Sequence, residues 1–145
     1  LVELAGCSGV RLIRSGTEGA SVPDKLRQLR IFIQCNYMRT IALADAARHL
    51  GMSRSAFCAW FRRATGTTLI RYVNDFRIGE SCRLLFETSR SVTEIAAAVG
   101  FTDSAYFNRQ FKRHLHLSPR AWRKKMNASE PKVLKRGGNM VKSPA

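Results

Sequence analysis

Asn108, Arg109 and Lys112 alternate with Phe107 and Phe111 in the stretch VGFTDSAYFNRQFKRHLHLSPRAWRKK, which runs from Val99 to Lys125. Asn and Arg carry donor and acceptor geometry that matches base edges in a major groove. Lys is a compact point charge suited to phosphate. Phe107 and Phe111 have the i, i+4 spacing that puts two side chains on one face of a helix. Ser104, Ala105, Asn108, Arg109 and Lys112 then fall largely on the opposite face. Such a helix anchors itself with one face and reads with the other. A polar helix face is commonly just a solvated surface, so the reading needs support from the rest of the chain.

That support comes first from charge. Lys and Arg number 25 against 10 Asp and Glu, giving a formal net charge of +15 and a pI of about 10.9. An excess of this size predicts attraction to polyanions, nucleic acid and anionic membrane being the two candidates. No apolar run approaches the roughly 18 residues of a spanning helix. The opening LVELAGCSGVRLIRSG lacks the apolar centre of a signal peptide, so a cytoplasmic location is expected. The first residue is Leu, as in a fragment of a longer protein. Cys7, Cys35, Cys58 and Cys82 are scattered without a C-x-x-C pair, and His49, His114 and His116 add no zinc spacing. Reduced, mostly buried thiols and no metal or cofactor are expected.

The elements that must position the reading residues are all helical. Pro23-Asp24 is a helix-start signal, and Leu26, Leu29, Ile33 and Tyr37 follow near helical spacing. Further helical segments cover about 42–50, 54–65, 69–87, 92–99, 104–114 and 119–126, and no alternating strand pattern interrupts them. The chain also repeats itself. AARHLGMS (46–53) resembles IAAAVGFT (95–102), and AFCAWFRRATGTTL (56–69) resembles YFNRQFKRHLHLSP (106–119). Gly51 thereby matches Gly100, Phe57 matches Phe107, Phe61 matches Phe111, Arg62-Arg63 matches Lys112-Arg113, and Thr68 matches Ser118.

Each copy reads as a helix, a Gly-containing turn and a second helix, the helix-turn-helix pattern. In the first copy Leu43, Ala46, Ala47 and Leu50 point inward, Gly51 suits a left-handed C-cap, Met52 bridges the turn and Ser53 suits an N-cap. In the second, Ile95, Ala96, Val99, Gly100 and Phe101 repeat the pattern, with Thr102 or Asp103 as cap. Leu69 to Glu87 reads as one linking helix of about 28 Å at about 1.5 Å per residue. Half-sites one DNA turn apart lie about 34 Å from each other. Gly79 within that helix costs roughly 1 kcal/mol against Ala and is expected to mark close packing. Ser118-Pro119 makes an N-cap and N1 pair, and Trp122 is expected to pack back on the second unit.

From about Lys25 to Met126 the chain resembles the DNA-binding domain of the AraC/XylS family of bacterial transcription regulators. The resemblance is carried by RYVNDFRI in the linking helix and by SVTEIAAAVGFTDSAYFNRQFKRHLHLSPRAWR in the second unit. It implies an all-α fold of about seven helices, two helix-turn-helix units joined by a long linking helix. It implies that the second helix of each unit enters a major groove. The groove-facing positions it implies are Arg54, Ser55, Cys58, Ala59 and Arg62 in unit one, and Ser104, Ala105, Asn108, Arg109 and Lys112 in unit two. Cys58 and Ala59 stand where relatives often carry larger polar residues. His116 stands where Gly is usual, which is expected to alter the turn before Ser118.

The resulting organisation is a linker or remnant of a missing N-terminal domain over 1–22, an AraC-type DNA-binding domain over 23–126, and a basic disordered tail over 127–145. Within the domain, unit one spans 23–68, the linking helix 69–87 and unit two 88–126. The expected function is sequence-specific binding of double-stranded DNA by a transcription activator, with RNA polymerase as a partner and no membrane. Any effector ligand would bind a domain outside this chain. No enzyme is expected. Two other readings are a non-specific polyanion binder and the helix-turn-helix part of a DNA-repair methyl-transfer protein, which would need a cysteine centre that the scattered thiols do not offer.

Overall fold

The computed structural model describes residues 20–129. Among them lie seven helices and no strand: α1 (Val22–Asn36), α2 (Leu43–His49), α3 (Arg54–Thr65), α4 (Leu69–Glu87), α5 (Val92–Ala98), α6 (Ser104–Leu115) and α7 (Pro119–Ser129). The expected linker and tail lie mostly outside the described residues. Where they are described, Val22 already belongs to α1, and α7 continues past Met126 to Ser129.

Most helix starts follow from capping chemistry, the exception being α2, which begins after Ala42 with no side-chain cap. Ser21 accepts the Asp24 amide at 3.4 Å and donates its hydroxyl to the Asp24 carboxylate at 2.6 Å. That hydroxyl holds the Asp24 carboxyl below its usual range. Ser53 accepts the Ala56 amide at 3.2 Å, and Ser118 the Ala121 amide at 3.2 Å. Asp103, rather than Thr102, caps α6, with Oδ1 accepting from Ala105 at 2.8 Å. Ser91 and Glu94 form a reciprocal capping box: the Ser91 amide reaches Glu94 at 2.7 Å and the Glu94 amide reaches Ser91 Oγ at 3.2 Å.

The two helix-turn-helix corners are built alike. Gly51 and Gly100 have φ of 64° and 97°, the left-handed region that Gly enters without a Cβ penalty. The Met52 amide reaches back to the Ala47 carbonyl at 2.9 Å, and the Gly51 amide to Arg48 at 3.0 Å. Phe101 to Ala96 at 2.9 Å and Gly100 to Ala97 at 3.1 Å repeat the pattern. Both are Schellman turns, which satisfy the last carbonyls of α2 and α5.

Packing divides the chain into two compact units between Arg77 and Ile78, inside α4. In the first, Leu29 and Ile33 of α1, Ala46, Ala47 and Leu50 of α2, Phe57 and Phe61 of α3, and Leu69 and Val73 of α4 are buried. Phe57 and Phe61 stack with ring centroids 5.5 Å apart, and Tyr72 meets Phe61 edge-on at 5.6 Å. Phe32 stacks on His49 at 4.7 Å, and partial burial lowers the His49 pKa. In the second unit Ile78, Leu85, Ile95, Ala96, Val99, Phe101, Phe107 and Phe111 are buried. Trp122 packs edge-on against Phe111 at 6.3 Å, as the sequence predicts.

Each unit is also tied by one arginine. Arg77 donates Nε to the Tyr37 carbonyl and Nη2 to the Arg39 carbonyl, both at 2.8 Å. Arg123 donates Nε to Leu85 at 3.0 Å and Nη2 to Arg90 at 2.6 Å. In both units the guanidinium fork binds main-chain oxygens where the unit's first helical segment ends.

Two glycine-related expectations are corrected. Gly79 is exposed, and a Cβ built there meets nothing within 4 Å, so close packing is not its reason. His116 does not alter the turn. It adopts φ of 58°, matching the 72° of Gly66, and its amide reaches Lys112 at 2.9 Å as that of Gly66 reaches Arg62 at 2.8 Å. The left-handed geometry is imposed by the corner, and His116 bears the Cβ strain. Gly79→Ala should therefore stabilise the protein by about 1 kcal/mol, read as a higher denaturation midpoint. His116→Gly should also stabilise, by about 0.5–1 kcal/mol once the freer unfolded chain is counted, whereas Gly66→Ala should cost about 1–2 kcal/mol. A His116→Gly protein that melts earlier would show that the side chain contributes more than its backbone costs.

Candidate nucleic-acid interface

Helices α3 and α6 are held by their aromatic faces. Phe57 and Phe61 are 0% and 2% exposed, and Phe107 and Phe111 are both 0% exposed. A helix fixed this way must turn its other face to solvent. Arg54, Ser55, Cys58, Ala59 and Arg62 are all exposed on α3. Ala105, Asn108, Arg109 and Lys112 are exposed on α6, and Ser104 at its start is half-buried. The structure thus brings the predicted residues of each unit onto one outward face.

Neither α3 nor α6 carries a carboxylate, while Arg62, Arg63, Lys112 and Arg113 crowd their last turns. Cations there also complement the helix dipole. Several acids elsewhere are engaged. Asp45 pairs with Arg48 at 3.3 Å, and Glu80 and Glu87 pair with Arg83 at 3.0 and 2.8 Å. Glu94 and Asp24 are committed to caps. The outer faces of α3 and α6 therefore present positive charge with no carboxylate on either helix.

The two reading candidates of α6 are not loose. Asn108 donates Nδ2 to the Ser104 carbonyl at 2.8 Å, the local back-bond open to a short polar side chain one turn along a helix. The Arg109 guanidinium carbon lies 5.9 Å from the centre of the Tyr106 ring, itself packed against Phe101 at 5.9 Å. A cation over an aromatic face is held electrostatically. On α3 the matching positions are Cys58, Ala59 and Ala56, so that helix has neither the reader nor the platform.

Cysteine burial needs correction. Cys35 and Cys82 are only half-buried and Cys58 is exposed, because position 58 follows Phe57 around the helix onto the outer face; Cys7 lies outside the described residues. Burial pushes the Cys82 thiol up to about 11, which keeps it protonated at neutral pH. Among the described residues no helix is long and apolar enough to cross a membrane.

Sequence reading gave no role to Arg77 or Arg123, which entered only within the two family strings. No local pattern announces a contact to carbonyls some 40 positions away in sequence. It also missed a cleft of about 480 Å³ in the first unit, between the start of α2, the outer edge of α3 and the start of α4.

With this geometry in place, comparison with known proteins is specific. A family model described as "Helix-turn-helix domain" matches residues 46–125, more than half of the chain. The HTH-type transcriptional regulator YdeC of Bacillus subtilis is 36% identical over 104 residues, covering 72% of this chain and 35% of YdeC. The transcriptional activator RhaS of Salmonella arizonae is 34% identical, covering 71% of this chain and 37% of RhaS. This chain therefore spans little more than a third of the length of those relatives. Among solved structures, the DNA-binding domain of AdpA in complex with a target DNA superposes with a TM-score of 0.69 at 27% identity, over 74% of this chain and 97% of that one. An AraC-type regulator from Chromobacterium violaceum gives a TM-score of 0.68 at 25% identity, over 73% and 95%. The protein belongs to the AraC-type family of helix-turn-helix transcription regulators.

Proposed function

We propose that this chain is the DNA-binding part of a transcription activator, setting α3 and α6 into successive major grooves of double-stranded DNA. The observation that carries the reading is the pair of Phe-anchored, carboxylate-free helices whose outward faces carry Arg54, Arg62, Arg109 and Lys112. The DNA complex of AdpA and the activator RhaS support it by likeness. Since the relatives are longer, a further domain binding an effector, contact with RNA polymerase and a cytoplasmic location complete the proposal.

The two units divide the work. In the second, Arg109 reads guanine and Asn108 reads adenine, each bidentate contact discriminating by about 1–3 kcal/mol against a wrong base. Beyond the one Nδ2 hydrogen bonded to Ser104, Asn108 has a second Nδ2 hydrogen and Oδ1, the donor and acceptor that a bidentate contact to adenine needs. Ser104 and Ala105 line the start of that helix, and Lys112 takes phosphate. In the first unit Arg54, Ser55 and Arg62 meet the backbone, while Cys58 and Ala59 offer only shape and a surface for a thymine methyl. Unit one positions the protein and unit two reads.

The test is a scan of single base-pair changes across a site selected from random DNA, at two salt concentrations. Arg109→Ala should flatten base preference in one half-site. Arg62→Ala should weaken all sequences alike and reduce the salt slope by about 1. Affinity of the parent chain should fall by orders of magnitude between about 50 and 200 mM salt. An Arg109→Ala profile identical to the parent's, or largest penalties in the other half-site, would overturn the division. Indifference to salt would overturn nucleic-acid binding itself. Equal affinity for selected and random DNA would favour the non-specific polyanion binder.

A further inference from the structure

Arg109 is held differently from Arg77, Arg83 and Arg123. Arg77 and Arg123 spend guanidinium donors on main-chain oxygens, and Arg83 spends its donors on Glu80 and Glu87. Arg109 instead lies over a ring, its guanidinium carbon 5.9 Å from the centre of Tyr106, one helical turn earlier. A guanidinium is planar, with five N–H donors in a fixed fork around its rim. An aromatic face attracts the cation and takes none of those donors. It therefore steadies the fork that matches guanine without using it.

The ring is itself supported. Tyr106 is half-buried and packs against Phe101 at 5.9 Å, and the buried Phe101 packs against Phe107 at 5.2 Å. The Phe101 amide is bonded to the Ala96 carbonyl at 2.9 Å, so the support belongs to the helix-turn-helix corner. The duplication supplies a comparison inside the same molecule. Where the second copy has Phe101, Tyr106 and Arg109, the first has Met52, Ala56 and Ala59. Support, ring and arginine are replaced together, as parts of one device would be. A ring that served the core alone would be expected in both copies, as Phe57 and Phe61 match Phe107 and Phe111.

We infer that Tyr106 is a positioning residue for base reading: it holds the Arg109 guanidinium over its ring and so sets the strength of the guanine preference without itself touching DNA. A long, freely rotating arginine loses rotamer freedom when it is fixed on a base, and that loss weakens binding. The ring orders the side chain beforehand, so less is lost when the fork meets O6 and N7 of guanine. This role rests on the assignment of Arg109 to guanine proposed above, whereas the contact between ring and guanidinium does not.

The test uses the whole chain with Tyr106→Phe, which keeps the ring and drops the hydroxyl, and Tyr106→Leu, which keeps apolar bulk and drops the ring. Proton NMR of the DNA-free protein reads the contact. The Arg109 side-chain protons should lie upfield, through the ring current, in the parent chain and in Tyr106→Phe, and return to ordinary arginine positions in Tyr106→Leu. Identical positions in the parent and Tyr106→Leu would overturn the platform. The scan of single base-pair changes then reads its consequence. Tyr106→Leu should cut the penalty for replacing the guanine under Arg109 about threefold and leave the other penalties in place, while Tyr106→Phe keeps the parent profile. With Arg109→Ala already present, Tyr106→Leu should change nothing further. Equal weakening of every sequence by Tyr106→Leu would make the ring a structural element, and a loss with Tyr106→Phe would make its hydroxyl a direct contact; either overturns the positioning role. If Tyr106→Leu melts early, Tyr106→Met takes its place. A guanine preference that Arg109→Ala loses and Tyr106→Leu keeps overturns the positioning role and leaves the proposed function standing. An unaltered Arg109→Ala profile overturns the proposed division of reading, and the role of Tyr106 with it.

Discussion

The left-handed residue at each helix-turn-helix corner is the constraint from which the rest follows. Gly51 and Gly100 turn the chain at a point where an L side chain would strain it. The paired back-bonds then close off α2 and α5 and leave Met52 and Phe101 directly over Ala47 and Ala96. Small residues beneath the turn let the second helix approach. Only with that approach do Phe57 and Phe61, or Phe107 and Phe111, reach the core. Only when they are buried is the opposite face of α3 or α6 committed to solvent. The outward placement of Arg62 and Arg109 is therefore set by a backbone angle some residues earlier in the chain.

Much of this was legible because it is local. Ser-x-x caps, the Gly corners and the four-residue Phe spacing each leave a mark within one turn of helix, and the structure has them at Ser53, Ser118, Gly51, Gly100, Phe57 and Phe107. What escaped is long-range or depends on space. Arg77 binds carbonyls, which every residue has, so its partners carry no sequence signature. Gly79 sits in open space, which no local pattern distinguishes from a tight crossing. The thiols as a class are expected to be mostly buried, yet Cys35 and Cys82 are half-buried, and Cys58 lies outside, where its groove-facing position in the family pattern puts it. The outward face of α6 was readable, but the back-bond of Asn108 and the stacking of Arg109 were not, since both are choices of rotamer.

Duplication has kept the skeleton and let the surfaces diverge. Corners and paired phenylalanines recur in both units, while Tyr106 matches Ala56, Asn108 matches Cys58 and Leu117 matches Thr67 in the repeat. The skeleton positions are those where a change strains the backbone or empties the core. The divergent positions cost little in folding and so are free to serve recognition. Two copies of one motif can in this way take on unlike tasks without either losing its fold.

Arg77 and Arg123 grip main chain rather than side chains, and this shapes which substitutions each unit can absorb. Positions 37, 39, 85 and 90 contribute only their carbonyl oxygens to the two forks, so for that purpose nearly any residue serves there. The arginines have no such latitude. A lysine offers a single ammonium where a planar fork spans two oxygens. Each clamp thus concentrates its sensitivity to mutation in one residue and releases its partners to vary.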